Sequence, residues 1–600
     1  MVTMIMERST TCLSKLICIL LALSMIPFAL LGCSDEDSAD TSAESGMETE
    51  ETFQPIEFVS EGKSEFVIWI AEELYSNSEL KEMLTKVNDS IKDKTGITLK
   101  IKSDSRYDED DAGSPAILVG NTKFSESAAL GLNTRNKDFG VTASGNKILL
   151  YGNGAEGCIN ALRYFYNKVI HAQQATNKTL SFIEEYIYSS EMSYGIKTAV
   201  FGGVELKDFT IVTPKNANIL DTLLANYLVY YLEDNYGYTL TVTDDTQETE
   251  NEILIGNTAR STLTAEKNSF AVALNDGKLQ LAIDGMRGFE GLYEYINSTL
   301  LYSSKDKEYS YDTGFAYASA AKSSINDGSS LADSSLGDIR VMYYNVYWHG
   351  NGPDDVRHAL QTEMIKSYAP DVICAQEYAS YHHDGCTPLL EKLGYADASV
   401  TTAYVNNTPL FYRTDKLKLV SSGCWLYSQP NNGDSKSITW AVLEVKATGE
   451  RFIAISTHMM YDQPGIDANA ARIQNAKEML SVISAIRSNA AFKDLPIIMG
   501  GDLNCRVGSE PQNILIDGGL KRAYDLATEK NNNSGHHAYP TWSTDVGMFT
   551  EWTPVSGVNT NAIDHAFVSE GVVVKAYATL TSLVPLWLSD HMPLIVDIDL

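Results

Sequence analysis

From residue 64 onward, short apolar runs are separated by polar turns, and the first stretch of this pattern occurs twice. Phe66-Val67-Ile68 matches Phe209-Thr210-Ile211. A helical stretch follows each, then a glycine-led alternating strand: Gly96-Ile97-Thr98-Leu99-Lys100-Ile101 in one copy, Gly237-Tyr238-Thr239-Leu240-Thr241-Val242 in the other. Ile117-Leu118-Val119-Gly120-Asn121-Thr122 then pairs with Ile253-Leu254-Ile255-Gly256-Asn257-Thr258. Hairpins follow through Gly145-Asn146 and Asp276-Gly277, both favoured turn dipeptides. Gly152 and Gly285 precede a last helical stretch, 158–169 or 289–300. The offset between equivalent positions stays between 131 and 143 residues, so the region is an internal duplication. Each copy reads β-α-β-β-β-β-α. That order predicts two small α+β domains, residues 64–190 and 194–318, with helices packed on a mostly antiparallel sheet.

Ala316–Gly337 is rich in Ala, Ser, Asp and Gly and predicts a linker over 319–336. Beyond it the apolar runs change character, each meeting a residue capable of chemistry. Ile339–Tyr344 ends at Asn345, and Asp371–Ala375 ends at Gln376-Glu377. Phe452–Thr457 ends at His458, and Pro496–Gly500 ends at Gly501-Asp502-Leu503-Asn504. Ala562-Ile563 leads into Asp564, and Ser589-Asp590-His591 introduces the run 593–598. A single polar strand end is an ordinary turn former. Six in succession, on strands that deliver their ends to one rim of a sheet, predict a convergent site. Nine of the ten histidines lie in this half, residues 337–600.

The chain's 600 residues exceed one core and suggest about three or four units at ~150 residues each. The formal charge of −32 repels polyanions over long range. Residues 34–63 hold ten Asp/Glu against one Lys and predict a disordered acidic tether over 33–63. Residues 337–600 hold 19 basic and 29 acidic residues, without a Lys/Arg cluster to track a nucleic-acid backbone. That favours a small or lipid-like substrate over long DNA or RNA. The cysteines of the folded part, Cys158, Cys374, Cys386, Cys424 and Cys505, are odd in number and lack metal-ligand spacing. They predict neither a disulfide framework nor a thiolate zinc site, and leave one bridge in the C-terminal half open.

At the N-terminus, Arg8 and Lys15 precede an apolar run from Leu16 to Leu31, short for a membrane span and suited to a signal peptide over 1–32. Its end, Leu30-Leu31-Gly32-Cys33, resembles the lipobox of bacterial lipoproteins. The resemblance implies lipidation at Cys33, stable anchoring by more than one acyl chain, and an extracytoplasmic, membrane-tethered location. The duplicated domain resembles the non-catalytic α/β domain that precedes the catalytic barrel in several glycoside hydrolase families. Its Gly-Asn-Thr turn lacks the Lys-Ser/Thr of a phosphate loop and reads as structural. The two copies are expected to be spacers, or modules for glycan or cell-surface contact.

The ordered set in 337–600, with Gly-Asp-Leu-Asn and Ser-Asp-His as its specific motifs, resembles the endonuclease/exonuclease/phosphatase superfamily. The resemblance implies a four-layer α/β sandwich, two face-to-face sheets flanked by helices, and metal-dependent phosphoester hydrolysis with Mg²⁺ or Mn²⁺. It implies Asn345, Glu377 and Asp590 at the metal. Asp502 would orient or deprotonate water, and Asn504, expected on the same face of an extended chain, would hold water or phosphate. His591 would serve as general base or as a phosphate-binding cation, with Asp564 fixing its tautomer. Asp590 would assist the metal, and His458 would donate to a phosphate oxygen. This agrees with what phosphoester cleavage needs: charge neutralisation, an activated water and donors on the nonbridging oxygens. His565 reads as packing and Arg472 as structural, while His382-His383 and His536-His537 read as solvated loop residues, with a place on the rim of the substrate pocket as the alternative. Two rival readings are a secreted nuclease of the same fold, and a carbohydrate- or surface-binding lipoprotein with an inactive hydrolase-like module.

Overall fold

In both copies of the duplicated domain one strand, Ala116–Val119 or Glu252–Ile255, is buried along its whole length. A run with no exposed side belongs inside a parallel sheet covered on both faces. The computed structural model, which describes residues 53–128, 130, 135–319, 337–348, 353–399, 401, 403–530, 541–550 and 562–600, shows that sheet. In the first copy Lys100–Ser103, Val67–Ile70, Ala116–Val119 and Lys147–Gly152 run parallel, and Phe139–Ser144 and Tyr188–Ser190 add antiparallel strands at one edge. The second copy repeats this order. The expected element order is present, but the mostly antiparallel sheet is corrected to one with a parallel centre. The helix Ser78–Thr95, or Ile219–Asn235, is the crossover that parallel neighbours require.

The expected tether over 33–63 ends sooner than predicted. Ile56–Val59 is a strand paired with Leu180–Phe182, and Phe58 and Val59 are fully buried. Its apolar residues stand among acidic ones, which masked them in a count of charge. Cys33 and the leader lie outside the described residues. Ala316–Ala318, at the start of the Ala/Ser-rich segment, is still an edge strand on Phe270–Asn275. Residues 320–336 lie outside the described residues. Among the described residues no helix is long and apolar enough to cross a membrane.

In the C-terminal half Ile339–Asn345 shows the layering. Ile339, Val341 and Tyr343 face a second sheet, while Met342 and Tyr344 face helices, as the two-residue period of a strand dictates. The seven-stranded sheet that contains it also holds Val372–Gln376, Leu594–Asp599 and Val573–Thr579. A six-stranded sheet, with Ser437–Val445, Arg451–His458, Ile497–Asp502 and Asp564–Val568 at its centre, packs on its inner face. Helices Asp354–Tyr368 and Leu583–Leu588 cover the first sheet. Ala468–Arg487 and Glu510–Asp517 cover the second. This is a mixed α/β arrangement of helix, sheet, sheet and helix. All five described cysteines are free.

The second copy is not a detached spacer, because residues 55–600 form one compact unit. Its helices Ile219–Asn235 and Gly285–Tyr295 pack on Asp354–Tyr368 and Leu583–Leu588 in one continuous hydrophobic core. Phe289 and Tyr293 meet the Trp587 ring edge-on at centroid distances of 6.2 and 6.5 Å. Asn226 Nδ2 donates to the Gly547 carbonyl at 3.0 Å. Glu290 accepts the Val584 N–H at 2.9 Å and so caps the helix that leads into Ser589-Asp590-His591.

Burial pushes the Glu290 carboxyl up to about 7. The native state therefore keeps a proton that an unfolded glutamate releases near its ordinary value. The contribution is complete below that value and is lost as pH rises through about 7. Glu290→Gln, which keeps the acceptor and cannot ionise, is expected to gain on wild type by about 2–3 kcal/mol between pH 5 and pH 8. Urea unfolding at both pH values checks this. A gap independent of pH would contradict the buried acid.

Candidate active site

Six strands bring the candidate groups to one end of the sandwich. Asn345 ends its strand, Glu377 follows Val372–Gln376, and His591 precedes Leu594–Asp599, all in the first sheet. His458 and Asp502 end neighbouring parallel strands and are register partners, and Asp502 is in turn the antiparallel partner of Asp564. Two sheets thus supply the rim that the sequence pattern assigned to one. Their close approach needs glycine. Gly501 has φ +133°, and a Cβ there would lie 2.1 Å from the Thr457 carbonyl and 2.8 Å from the Gln376 amide.

At the centre is Asp502, buried with its carboxylate shared among three side chains. Oδ2 accepts from Asn345 Nδ2 at 3.1 Å and lies 3.3 Å from His458 Nε2 and 3.8 Å from His591 Nε2. Burial alone would raise its pKa, but the imidazole rings of His458 and His591 and the Lys436 ammonium hold it well below the ordinary carboxylate value. His591 Nδ1 bonds Asp564 Oδ2 at 2.8 Å. Burial opposes charge on this ring too, yet the carboxylates of Asp564 and Asp502 raise it to about 10. The two carboxylates therefore favour the imidazolium form of His591, the form that can bind phosphate or donate a proton. His458 goes the other way: burial and then the neighbouring Lys436 lower its pKa.

Ligand atoms of Glu377, His458 and Asp502 all lie within 4.8 Å of one another, as do those of Asp502, Asp564 and His591. The first group, with two carboxylates, suits a hard divalent cation. Glu377 has φ +56° and accepts the Trp348 N–H at 2.8 Å. Asn345 was expected as an oxygen ligand. Its Oδ1 accepts the Tyr347 N–H at 3.1 Å, and its Nδ2 donates to Asp502 Oδ2 at 3.1 Å. Asp590 lines the cavity beside His591 and belongs to neither group of converging ligand atoms.

Asn504 does not share an extended face with Asp502. Its φ is +51°, its N–H donates to Asp502 Oδ1 at 2.8 Å, and its Nδ2 donates to the Met459 carbonyl at 3.1 Å. The strand ends at Asp502 and the next residues turn, so Asn504 buttresses the carboxylate through its backbone. The expectation of solvated His382-His383 is also corrected for His382, which is fully buried on a short helix. Burial, then Arg357, push its pKa down to about 2. His536-His537 lie outside the described residues. His565 is buried, with Nε2 2.9 Å from the Cys505 carbonyl, a packing position. Arg472 donates to the Met460 carbonyl at 3.2 Å and pairs with Asp462 at 2.9 Å, pinning the loop after His458.

Two residues carry weight that sequence reasoning missed. Lys436, 3% exposed, places Nζ 2.6 Å from His458 Nε2, and burial lowers its pKa to about 8. In sequence it is one lysine between serines at a strand edge, indistinguishable from a solvated one. Arg357, 2% exposed, donates to the Tyr347 carbonyl at 3.0 Å and to the Tyr381 hydroxyl at 2.9 Å, fixing the turn from which Trp348 reaches Glu377. Its helical spacing gave no hint of that reach. Cavities of about 700 and 770 Å³ open on either side, both bounded by Glu377 and Tyr461.

Residues 342–591 match the model of the Endonuclease/Exonuclease/phosphatase family. Nocturnin from Mus musculus is 26% identical over 238 residues, 35% of this chain and 53% of nocturnin. Homo sapiens nocturnin is 25% identical over 233 residues, 34% of this chain and 52% of that protein. The chain thus spans about half the length of the curated relatives it matches. Among solved structures, a mannosyl-6-phosphatase from Bacteroides thetaiotaomicron aligns with TM-score 0.34 and 22% identity, over 44% of this chain and 99% of that one. The human nocturnin catalytic domain with bound sulfate aligns with TM-score 0.33 and 24% identity, over 44% and 96%. The stretch that matches the Endonuclease/Exonuclease/phosphatase family model, residues 342–591, contains every residue of the two converging groups.

Proposed function

We propose that this protein is a divalent-metal-dependent phosphoesterase held on the outer side of the cell membrane through lipidated Cys33, acting on small or lipid-like phosphate esters. The observation that carries the reading is the convergence of Glu377, His458, Asp502 and His591 from two sheets beside a cavity. Glu377 and Asp502, with His458, would hold Mg²⁺ or Mn²⁺. The bound ion supplies neutralisation of charge on the phosphate oxygens. Asp502, held ionised and anchored by Asn504 and Asn345, accepts a hydrogen bond from the attacking water and aligns it. His591, held charged by Asp564, donates to phosphate oxygen as negative charge develops. The His458 ring and Lys436 line the same centre. The acidic surface supports small substrates over long nucleic acid, and the leader supports the location.

The test is hydrolysis of bis-(p-nitrophenyl) phosphate and of single-stranded DNA by washed membranes of cells expressing the full chain. Expected are loss of activity in EDTA, recovery with Mg²⁺ or Mn²⁺, and release into the soluble fraction by Cys33→Ala. Activity that survives exhaustive chelation would refute metal dependence. A strong preference for DNA would favour the nuclease reading instead.

A further inference from the structure

We infer that a cavity of about 420 Å³ on the helix side of the second sheet binds a small organic molecule headed by a quaternary ammonium group. None of its lining residues belongs to either converging group of ligand atoms, so the site is separate from the phosphoesterase centre. Its volume falls within the roughly 300–1,000 Å³ of small-molecule sites. Two indoles form its walls. Gly423 and Trp440 are register partners on neighbouring strands, and Trp425 lies two residues on, paired with Ile438. The two-residue period of a strand puts these four side chains on one face. Ile438 packs in the core beneath the helix Ala468–Arg487, which makes that face the helix side. A Cβ on Gly423 would lie 2.8 Å from Trp440 Nε1 and 2.9 Å from its Cε2 and Cζ2. Glycine thus lets the Trp440 indole lie against the strand. Trp425 is 51% exposed, and Val482, Ile486 and Phe492 complete the apolar lining. Among the described residues neither indole has a cation or a second aromatic ring against it.

Charge names the ligand. Glu478 is the sole Asp, Glu, Lys or Arg among the described residues of the lining, and it has no basic partner among them. One of its carboxylate oxygens accepts from Trp425 Nε1 at 3.3 Å and from the Ser428 N–H at 3.0 Å. The other accepts from Gln474 Nε2 at 3.0 Å and from the Ser428 hydroxyl. Burial opposes its charge, but these neutral donors hold the carboxyl below the ordinary glutamate range. An ionised carboxylate beside two indoles asks for a cation. The oxygens already accept four hydrogen bonds. The Ser481 hydroxyl is used by the Lys477 carbonyl, and Asn489 Oδ1 by the Ala491 N–H. An ammonium with N–H groups would therefore be left short of acceptors. A quaternary ammonium has no N–H to satisfy and takes the aromatic walls and the fixed charge as they stand. An anion would face Glu478 unpaired, and a neutral molecule would strip water from the carboxylate and return no charge.

The experiment titrates the full chain with choline, with its neutral carbon isostere 3,3-dimethylbutan-1-ol and with ethanolamine, following the ligand resonances by NMR. Choline is expected to bind about tenfold more tightly than either of the others. Glu478→Gln keeps the shape of the side chain and is expected to weaken choline about tenfold while leaving the alcohol unchanged. Trp425→Ala is expected to weaken choline by a similar factor, with Trp425→Phe recovering part of it. The comparison of choline with its isostere needs no variant, so it stands even if a substitution unfolds the chain. Equal affinity for choline and the alcohol overturns the proposal, as does tighter binding of ethanolamine. Choline binding that survives both Glu478→Gln and Trp425→Ala lies elsewhere on the molecule and overturns it too. Sedimentation of the Cys33→Ala chain with phosphatidylcholine vesicles, without binding of free choline, would replace the small ligand by a membrane surface. Each readout is of binding alone, so it holds whether or not the C-terminal half hydrolyses phosphate esters.

Discussion

His591→Ala is expected to lower kcat by about 10²–10³-fold, the scale of removing one donor aimed at charge that develops in the transition state. The ring is 2% exposed and held from both sides, by Asp564 at 2.8 Å and by Asp502 at 3.8 Å. Those carboxylates keep it charged through neutral pH although burial alone would discharge it. A cation so fixed pays no reorganisation when the reaction needs it. Its loss should therefore appear in kcat, with KM moved less. If the imidazolium donates to phosphate oxygen as proposed, p-nitrophenyl and alkyl leaving groups should suffer alike. A deficit confined to alkyl esters would recast His591 as the proton donor to the leaving group. A variant within a few-fold of wild type would remove it from the mechanism.

Arg340→Met is expected to destabilise the C-terminal half by about 3–5 kcal/mol, the cost of leaving a buried ionic partner alone. Arg340 and Asp597 are register partners on adjacent strands, both with fully buried side chains. Nε and Nη2 reach the two carboxylate oxygens at 2.8 and 2.9 Å, and Nη1 donates to the Tyr368 carbonyl at 2.9 Å. The pair clamps the strand that ends at Asn345 to the strand that follows His591, so the same substitution should loosen the site. A fall in Tm of roughly 10 °C is expected by calorimetry. The double variant Arg340→Met/Asp597→Leu should recover most of it, since an apolar pair of similar volume removes the stranded charge. An unchanged Tm for the single variant would show that water or a second cation satisfies Asp597.

Much of the site was readable along the chain because its signals are local. An apolar run that meets Asn345, His458 or Asp502 marks a strand end wherever the strand is placed. The duplication was readable for the same reason, since matched runs keep their order. Where the reading failed, the deciding contact was distant. The sheet centre is parallel because Val67–Ile70 and Ala116–Val119 pair across a helix, and no alternation within either run records its neighbour. The Asn504 reading assumed that an extended strand continued, whereas a hydrogen bond to Asp502 turned the chain.

The residue order by itself determined the elements, their sequence along the chain and the chemical kinds of group at their ends, because periodicity and side-chain identity act over a few positions. Only the folded molecule decided that two sheets supply the rim and that Asn345 offers its nitrogen. It also made Lys436 part of the centre and set the Glu290 carboxylate on the helix before His591. Such contacts join positions tens to hundreds of residues apart. They depend on which surfaces exclude water together, and that is settled when whole layers pack.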